Sequence, residues 1–309
     1  MALASPSVDQ PPSLVSRIVH GQQMKLIFNR AMDWLGRLSP QLSYSIRTIL
    51  GEAAFPFRPA YEETAPNLRE DLTLYADLYR KASENFLKIV PPYRTEVEWP
   101  RARVFNGFFQ TIDAELYYCI VRFFRPKRIV EVGAGYSTWF ARDALKANGG
   151  GQLYAIDPAP RLLLPKECQH QKTLVQHVEL GLFQELQEND ILFIDSSHTR
   201  EEAMYHVEQI YPILRPGVLI HHHDILFPFL GFTSLEPDWE DLGEQDVVLE
   251  FLKHHPESYE VITSSAFVQH ESPGLVLRLI PSKVFAPRRT GGSIWIRKKA
   301  RFYSCPLHF

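Results

Sequence analysis

From Arg128 onward, short apolar runs alternate with stretches whose apolar residues recur at helical spacing. The runs R-I-V-E-V-G (128–133), G-Q-L-Y-A-I-D (151–157), T-L-V-Q-H-V (173–178), D-I-L-F-I-D (190–195) and G-V-L-I-H-H-H (217–223) predict five strands. Two more, Y-E-V-I-T-S-S-A-F (259–267) and G-S-I-W-I-R-K (292–298), make seven. Helices are predicted at about 137–147, 200–213 and 244–254. Strand–helix alternation of this kind builds a mostly parallel sheet with crossover helices. Runs such as I-L-F-I and V-L-I, with no polar alternation, suit strands covered on both faces.

The first hundred residues read differently. Residues 1–12 carry the Pro and Ser excess of a disordered tail. Residues 13–100 predict a helical extension, with one or two helices to about residue 50 and a connector containing Pro56, Pro59 and Pro66. One unbroken helix is expected over 67–90, stopped by Pro91 and Pro92. Residues 111–124 predict a further helix with Thr111 as N-cap ahead of Asp113 and Glu115. Residues 101–300 form the α/β domain and residues 301–309 a tail.

Composition bounds the function without naming it. A chain of 309 residues with 45% hydrophobic and 22% charged positions is an ordinary globular protein. A net charge of −3 offers no general field for nucleic acid. Three scattered cysteines (Cys119, Cys168, Cys305) fit a reducing compartment, so a cytoplasmic location is expected. No basic start and apolar core mark a secretory signal, and no apolar run approaches a membrane span. The amphipathic stretch from Leu14 to Gly36 is expected to pack on the domain or to join copies of the chain, rather than to lie on a membrane.

The candidate chemistry gathers at the predicted carboxyl ends of strands, where open α/β sheets bind ligands. The turn after the first strand reads E-V-G-A-G-Y-S-T, with Glu131, Gly133, Gly135 and Ser137. It lacks the third glycine of a dinucleotide site and the G-K-[ST] of a phosphate loop. Glu131 beside it suits a ligand with a cationic end. S-adenosylmethionine (SAM), an amino acid joined to a sulfonium and free of phosphate, meets that description. Asp157, ending the second strand, is placed to accept from two ribose hydroxyls. The two glycines allow close backbone approach to the ligand.

Two later clusters supply the reactive groups. D-I-L-F-I-D-S-S-H delivers Asp195, Ser196, Ser197 and His198 to the rim, and G-V-L-I-H-H-H-D delivers His221 to Asp224. In a strand His221 and His223 share one face and His222 takes the other as a packing residue. His198 or His223 can take a proton from a hydroxyl. Asp195, His223 and Asp224 can instead converge on a divalent metal such as magnesium. Phe105, Phe108 and Phe109, after the Asn106–Gly107 turn, read as packing residues. Trp239, Glu244 and Gln245 belong to a segment expected over the acceptor pocket, and His254 and His255 to a solvated helix end.

Together these motifs resemble the class I SAM-dependent methyltransferases, and most of all the bacterial branch called methyltransferase family 24. The segments that carry the likeness are F-N-G-F-F-Q-T-I-D-A-E, R-P-K-R-I-V-E-V-G-A-G-Y-S-T, A-I-D-P, F-I-D-S-S-H, R-P-G-V-L-I-H-H-H-D-I and G-G-S-I-W-I-R-K. The resemblance implies a doubly wound, seven-stranded, Rossmann-like sheet with an antiparallel last strand. It implies SAM at Glu131, Gly133, Gly135, Ser137 and Asp157, with Asp195 beside it. Ala134 stands where serine is frequent, and His223 where a metal-binding relative would carry an acid. The expected activity is O-methylation of a small molecule or sugar. The alternatives are a hydroxylase-type metal enzyme on the same scaffold and a non-catalytic assembly protein.

Overall fold

The computed structural model describes residues 70–97, 108–109, 112–160, 162–229, 243–280 and 291–300. The expected tail, the Leu14–Gly36 helix, the Thr111 cap, Phe105, Asn106, Gly107, Trp239, Cys305 and the C-terminal segment lie outside them.

The elements run α1 (Leu72–Tyr79), α2 (Ala82–Ile89), α3 (Asp113–Phe124), β1 (Arg128–Val132), α4 (Tyr136–Ala147), β2 (Gln152–Ile156) and β3 (Cys168–Gln171). They continue with α5 (Gly181–Gln184), β4 (Ile191–Ile194), α6 (Arg200–Tyr205), β5 (Leu219–His222), α7 (Glu244–His254), β6 (Tyr259–Ser264), α8 (Ser265–Glu271), α9 (Pro273–Leu279) and β7 (Ile294–Lys298). The seven strands lie in the order β3-β2-β1-β4-β5-β7-β6. β1 to β5 pair in parallel, while β7 runs antiparallel to β5 and β6. Strand order reverses between β1 and β4, which opens a crevice at the carboxyl edge there.

Burial follows the predicted logic. β4 and β5 are buried at every position, as apolar runs covered on both faces require. Phe193 and Ile220 fill the centre, while the edge strand β3 is mostly exposed. The opposite edge, β6, is covered by the N-terminal helices. Asn85 Nδ2 donates to the Ile262 carbonyl at 2.8 Å, and Thr263 Oγ1 to the Ala82 carbonyl at 3.1 Å. Tyr75, Tyr79 and Phe86 are fully buried in the same core. Covering an edge in this way removes a template for intermolecular pairing.

Four expectations about elements need correction. The third strand is Cys168–Gln171 rather than 173–178, where Val175–His177 forms a 3₁₀ turn. An exposed edge strand gives no apolar alternation to read. The helix expected over 67–90 is two helices, α1 and α2, separated by a turn at Arg80 and Lys81. The helix expected over 200–213 is α6, followed by a π-helical turn at His206–Ile210 and a 3₁₀ turn at Tyr211–Ile213. The last run of 259–267 stops at Ser264, whose hydroxyl accepts from the Phe267 amide and starts α8.

Candidate active site

The glycine turn joins β1 to α4 at the point where the strand order reverses. Gly133 has φ +84°, and a Cβ there would lie 1.8 Å from the Asp195 carbonyl oxygen. The backbone at the end of β4 therefore requires glycine here. Gly135 differs, because a Cβ added there meets no heavy atom within 4 Å. Open space lies over that residue at the N-terminus of α4.

Glu131 sits one residue before the end of β1 and is fully buried. Tyr117 donates its hydroxyl to Oε1 at 3.0 Å, and Thr138 and Ser137 also bond the carboxyl. Burial outweighs these bonds and pushes the carboxyl up to about 8. Its Oε2 has no hydrogen-bond partner. Ser137, itself buried, faces Glu131 beneath the turn.

Asp157 braces the turn from β2. Oδ2 accepts from the Ala134 amide at 2.8 Å and Oδ1 from the Ala159 amide at 2.7 Å. Each oxygen keeps a second lone pair. The residue is thus the turn former and remains able to accept from hydroxyls.

Across the crevice, four side chains converge from the ends of β4 and β5. His198 Nε2 lies 3.5 Å from Asp195 Oδ1 and 3.3 Å from Asp224 Oδ2. His223 Nδ1 lies 3.6 Å from Asp195 Oδ1 and 3.3 Å from Asp224 Oδ1. Both imidazoles therefore face the same pair of carboxylates. His198 and Asp224 hold φ of 59° and 58°, a left-handed conformation rare outside glycine and concentrated at functional sites. Asp195, Asp224 and His198 remain partly exposed, while His223 is buried.

Electrostatics fix the charge of this rim. Burial opposes protonation of His198, but Asp224, Glu244 and Asp195 overcome it and push the ring up to about 9. Burial likewise opposes charge on His223, and Asp195, Asp224 and Asp113 push it up to about 10. Burial raises the Asp224 carboxyl against the pull of the two histidines.

Two residues central to this arrangement had other expected roles. Glu244, expected in the acceptor-side segment, starts α7 with Oε2 at 2.7 Å from His198 Nδ1 and Oε1 at 2.6 Å from His222 Nδ1. Those bonds overcome burial and hold its carboxyl far below the usual range. Gln245 accepts from the Leu226 amide and donates to the Phe229 carbonyl, so it fastens the loop after β5. Asp113, read only as a helix-terminus charge, lies 3.5 Å from His223 Nε2 and accepts from Ser265, Gly292 and Ser293. Helical periodicity gave no signal for it.

The histidine triplet divides by face as predicted. His221 stacks on Phe193 at 3.9 Å and approaches Trp295, and burial, with His223 and His222, holds its pKa well below the ordinary value. His222 packs on the other face against Tyr211 and His206. Phe109 is buried against Tyr117, Phe193 and His223, in the packing role expected of it. His254 is exposed and His255 half-buried, and each bonds a backbone carbonyl one turn earlier.

A sheet of this order with an antiparallel seventh strand, a glycine turn after β1 and acids at successive strand ends is the fold of the class I SAM-dependent methyltransferases. Residues 130–225 match the family model described as a methyltransferase domain. An uncharacterised protein of Archaeoglobus fulgidus is 34% identical over 94 residues, covering 28% of this chain and 42% of that protein. The chain thus spans less than half the length of that relative. Among solved structures, an O-methyltransferase from Bacillus cereus in complex with SAH is 13% identical, covering 74% of this chain and 96% of that chain with a TM-score of 0.41. Cofactor-bound Rv0187 from MTB is 14% identical, covering 77% of this chain and 100% of that chain with a TM-score of 0.44. Among the described residues no helix is long and apolar enough to cross a membrane.

Proposed function

We propose that this protein is a SAM-dependent O-methyltransferase acting on a hydroxyl of a small molecule or sugar. The observation that carries the reading is the pairing of the β1 glycine turn with two histidines that face one carboxylate pair, Asp195 and Asp224. The residues around the turn fit SAM. The Gly135 side of the turn is open, and Asp157 keeps acceptor capacity for ribose hydroxyls. When bound, SAM supplies an electrophilic methyl group. Glu131, Gly133, Gly135, Ser137 and Asp157 would hold it, with Asp195 beside it.

The chain's own work is then positioning and proton transfer. We assign the base to His198 Nε2. Its ring is partly exposed at the rim, and Glu244 fixes its other nitrogen, as an orienting carboxylate does in a catalytic triad. His223 is buried among three carboxylates and suits the role of a fixed positive charge. A base must be neutral to accept a proton. Asp195 and Asp224 hold the His198 proton, and positive charge engaging those carboxylates loosens that hold. Nε2 then accepts the acceptor's proton while Asp195 and Asp224 orient the hydroxyl. A divalent metal at Asp195, His223 and Asp224 would engage the same atoms.

The test separates cofactor from chemistry. Titration calorimetry with S-adenosylhomocysteine is expected to give heat for the wild type and at least tenfold weaker binding for Asp157→Ala. On an acceptor panel, His198→Ala is expected to retain cofactor binding and lose about 10²–10⁴ in turnover. No binding at millimolar ligand, or equal binding by Asp157→Ala, would sink the cofactor assignment. Unchanged turnover in His198→Ala would remove the base.

A further inference from the structure

On the face of the sheet opposite His221 and His223, three polar side chains are enclosed together. His206 projects from the π-helical turn after α6, His222 from β5 and Glu244 from the first turn of α7. All three are buried. One ligand atom from each lies within 4.8 Å of the other two. Nothing in the methyl-transfer reading uses His206 or the free side of His222.

The hydrogen bonding of this cluster is incomplete in a specific way. Neither ring nitrogen of His206 has a hydrogen-bond partner, and neither does His222 Nε2. A buried polar atom left without a partner costs about 1–3 kcal/mol, so the unpartnered His206 ring beside His222 and Glu244 calls for an occupant. Glu244 Oε1 stands 2.6 Å from His222 Nδ1, and an ion held by both would take the place of the proton between them. Burial, with His222, holds His206 down at about 3, so it offers lone pairs rather than charge. Glu202 Oε1 stands 3.7 Å from His206 Nε2 at i,i+4 spacing and brings a second carboxylate to the cluster. π-turns of this kind recur where a helix re-aims a functional side chain.

We infer that His206, His222 and Glu244 form a buried structural metal site of the imidazole–carboxylate type that suits Zn²⁺, with Glu202 beside His206. Ligand atoms about 2.0–2.1 Å from a tetrahedral zinc stand about 3.4 Å apart. The three atoms lie within 4.8 Å of one another, a spread that a bound ion would draw in. The ion would tie β5, α6 and α7 together and would fix Glu244, whose other oxygen holds His198. The site is separate from the Asp195–His223–Asp224 rim and does not depend on the activity proposed above.

The experiment is metal analysis of full-length protein prepared without a histidine tag, loaded with Zn²⁺ and gel-filtered. About one zinc per chain is expected in the wild type, at least tenfold less in His206→Gln, and the wild-type amount in Asp195→Asn. Cobalt substitution of the wild type is expected to give the intense visible bands of a tetrahedral site, a readout that needs no variant. The inference is overturned if the loaded wild type holds only trace metal, in which case a buried water satisfies the nitrogens. It is equally overturned if folded His206→Gln keeps its zinc while Asp195→Asn loses it, or if cobalt gives only weak octahedral bands.

Discussion

The carboxyl of Glu131 controls more than its own position. It is buried at the centre of the fold, with Tyr117 on one oxygen and nothing on the other. Its pKa is raised to about 8 in the folded chain, against the ordinary glutamate value of 4.5. Between those values the native state binds more protons than the unfolded state, so stability falls as pH rises and levels off above the native value. The slope for one group is at most about 1.4 kcal/mol per pH unit. Glu131→Gln removes this proton while keeping the shape. Urea denaturation at pH 5, 6 and 7 should show the variant gaining stability relative to wild type at each step up. The comparison cancels His198 and His223, whose raised values act at higher pH, and His206, whose lowered value acts in the opposite sense. Parallel pH profiles for the two proteins would show that Glu131 is already ionised when folded.

At the scale of elements, the helices before the sheet belong to the structure that carries the site. α1 and α2 place Tyr75, Tyr79 and Phe86 in the main core and bond the backbone of β6. Phe86→Ala is therefore expected to cost about 3–5 kcal/mol, measured by chemical denaturation, although the residue lies far from the rim in sequence. A loss under 1 kcal/mol would make these helices an appendage. The sequence anticipated the strands that are buried on both faces, because I-L-F-I and V-L-I leave no other reading. It missed Cys168–Gln171, since an exposed edge strand is held by its neighbour's backbone and not by an apolar pattern. The same contrast holds at the site. Glu131, Asp157, Asp195, His198, His223 and Asp224 were legible because they end strands or open turns. Asp113 was not legible as a site residue, and Glu244 was legible only as part of an acceptor-side segment, not as the partner of His198 and His222. Their roles arise from tertiary approach of α3 to β7 and of α7 to β5, and helical spacing carries no trace of either.

For the molecule as a whole, Asp113 shows how the β7–β6 end of the sheet is coupled to the rim. From the first turn of α3 it accepts from Ser265 Oγ at 2.6 Å, from the Gly292 amide at 2.9 Å and from the Ser293 amide at 3.1 Å, while standing 3.5 Å from His223. One buried carboxylate thus joins α3, the β6–α8 junction, the start of β7 and the histidine on β5. Those bonds, with His223, overcome burial and lower its pKa, so the ionised form is the one the fold uses. Gly291 and Gly292 pass close by, and a Cβ on Gly291 would lie 2.5 Å from Ser265 Oγ. Asp113→Asn keeps the volume but removes the charge opposite His223 and presents donors to donors. Each buried group left unpaired costs about 1–3 kcal/mol, and Ser293 N retains Ser265 Oγ, so a total loss of about 2–4 kcal/mol is expected. Hydrogen exchange gives the spatial test. Amides at Gly292, Ser293 and across β5–β7–β6 should exchange faster in the variant, while β1 and β2 keep their protection, because the weakened ties all lie on one side of β4. If exchange rises equally in all strands, the sheet opens as a single unit and Asp113 contributes only to global stability. If it rises only at Gly292 and Ser293, the carboxylate is a local cap, and the coupling of the β7 edge to His223 must lie elsewhere.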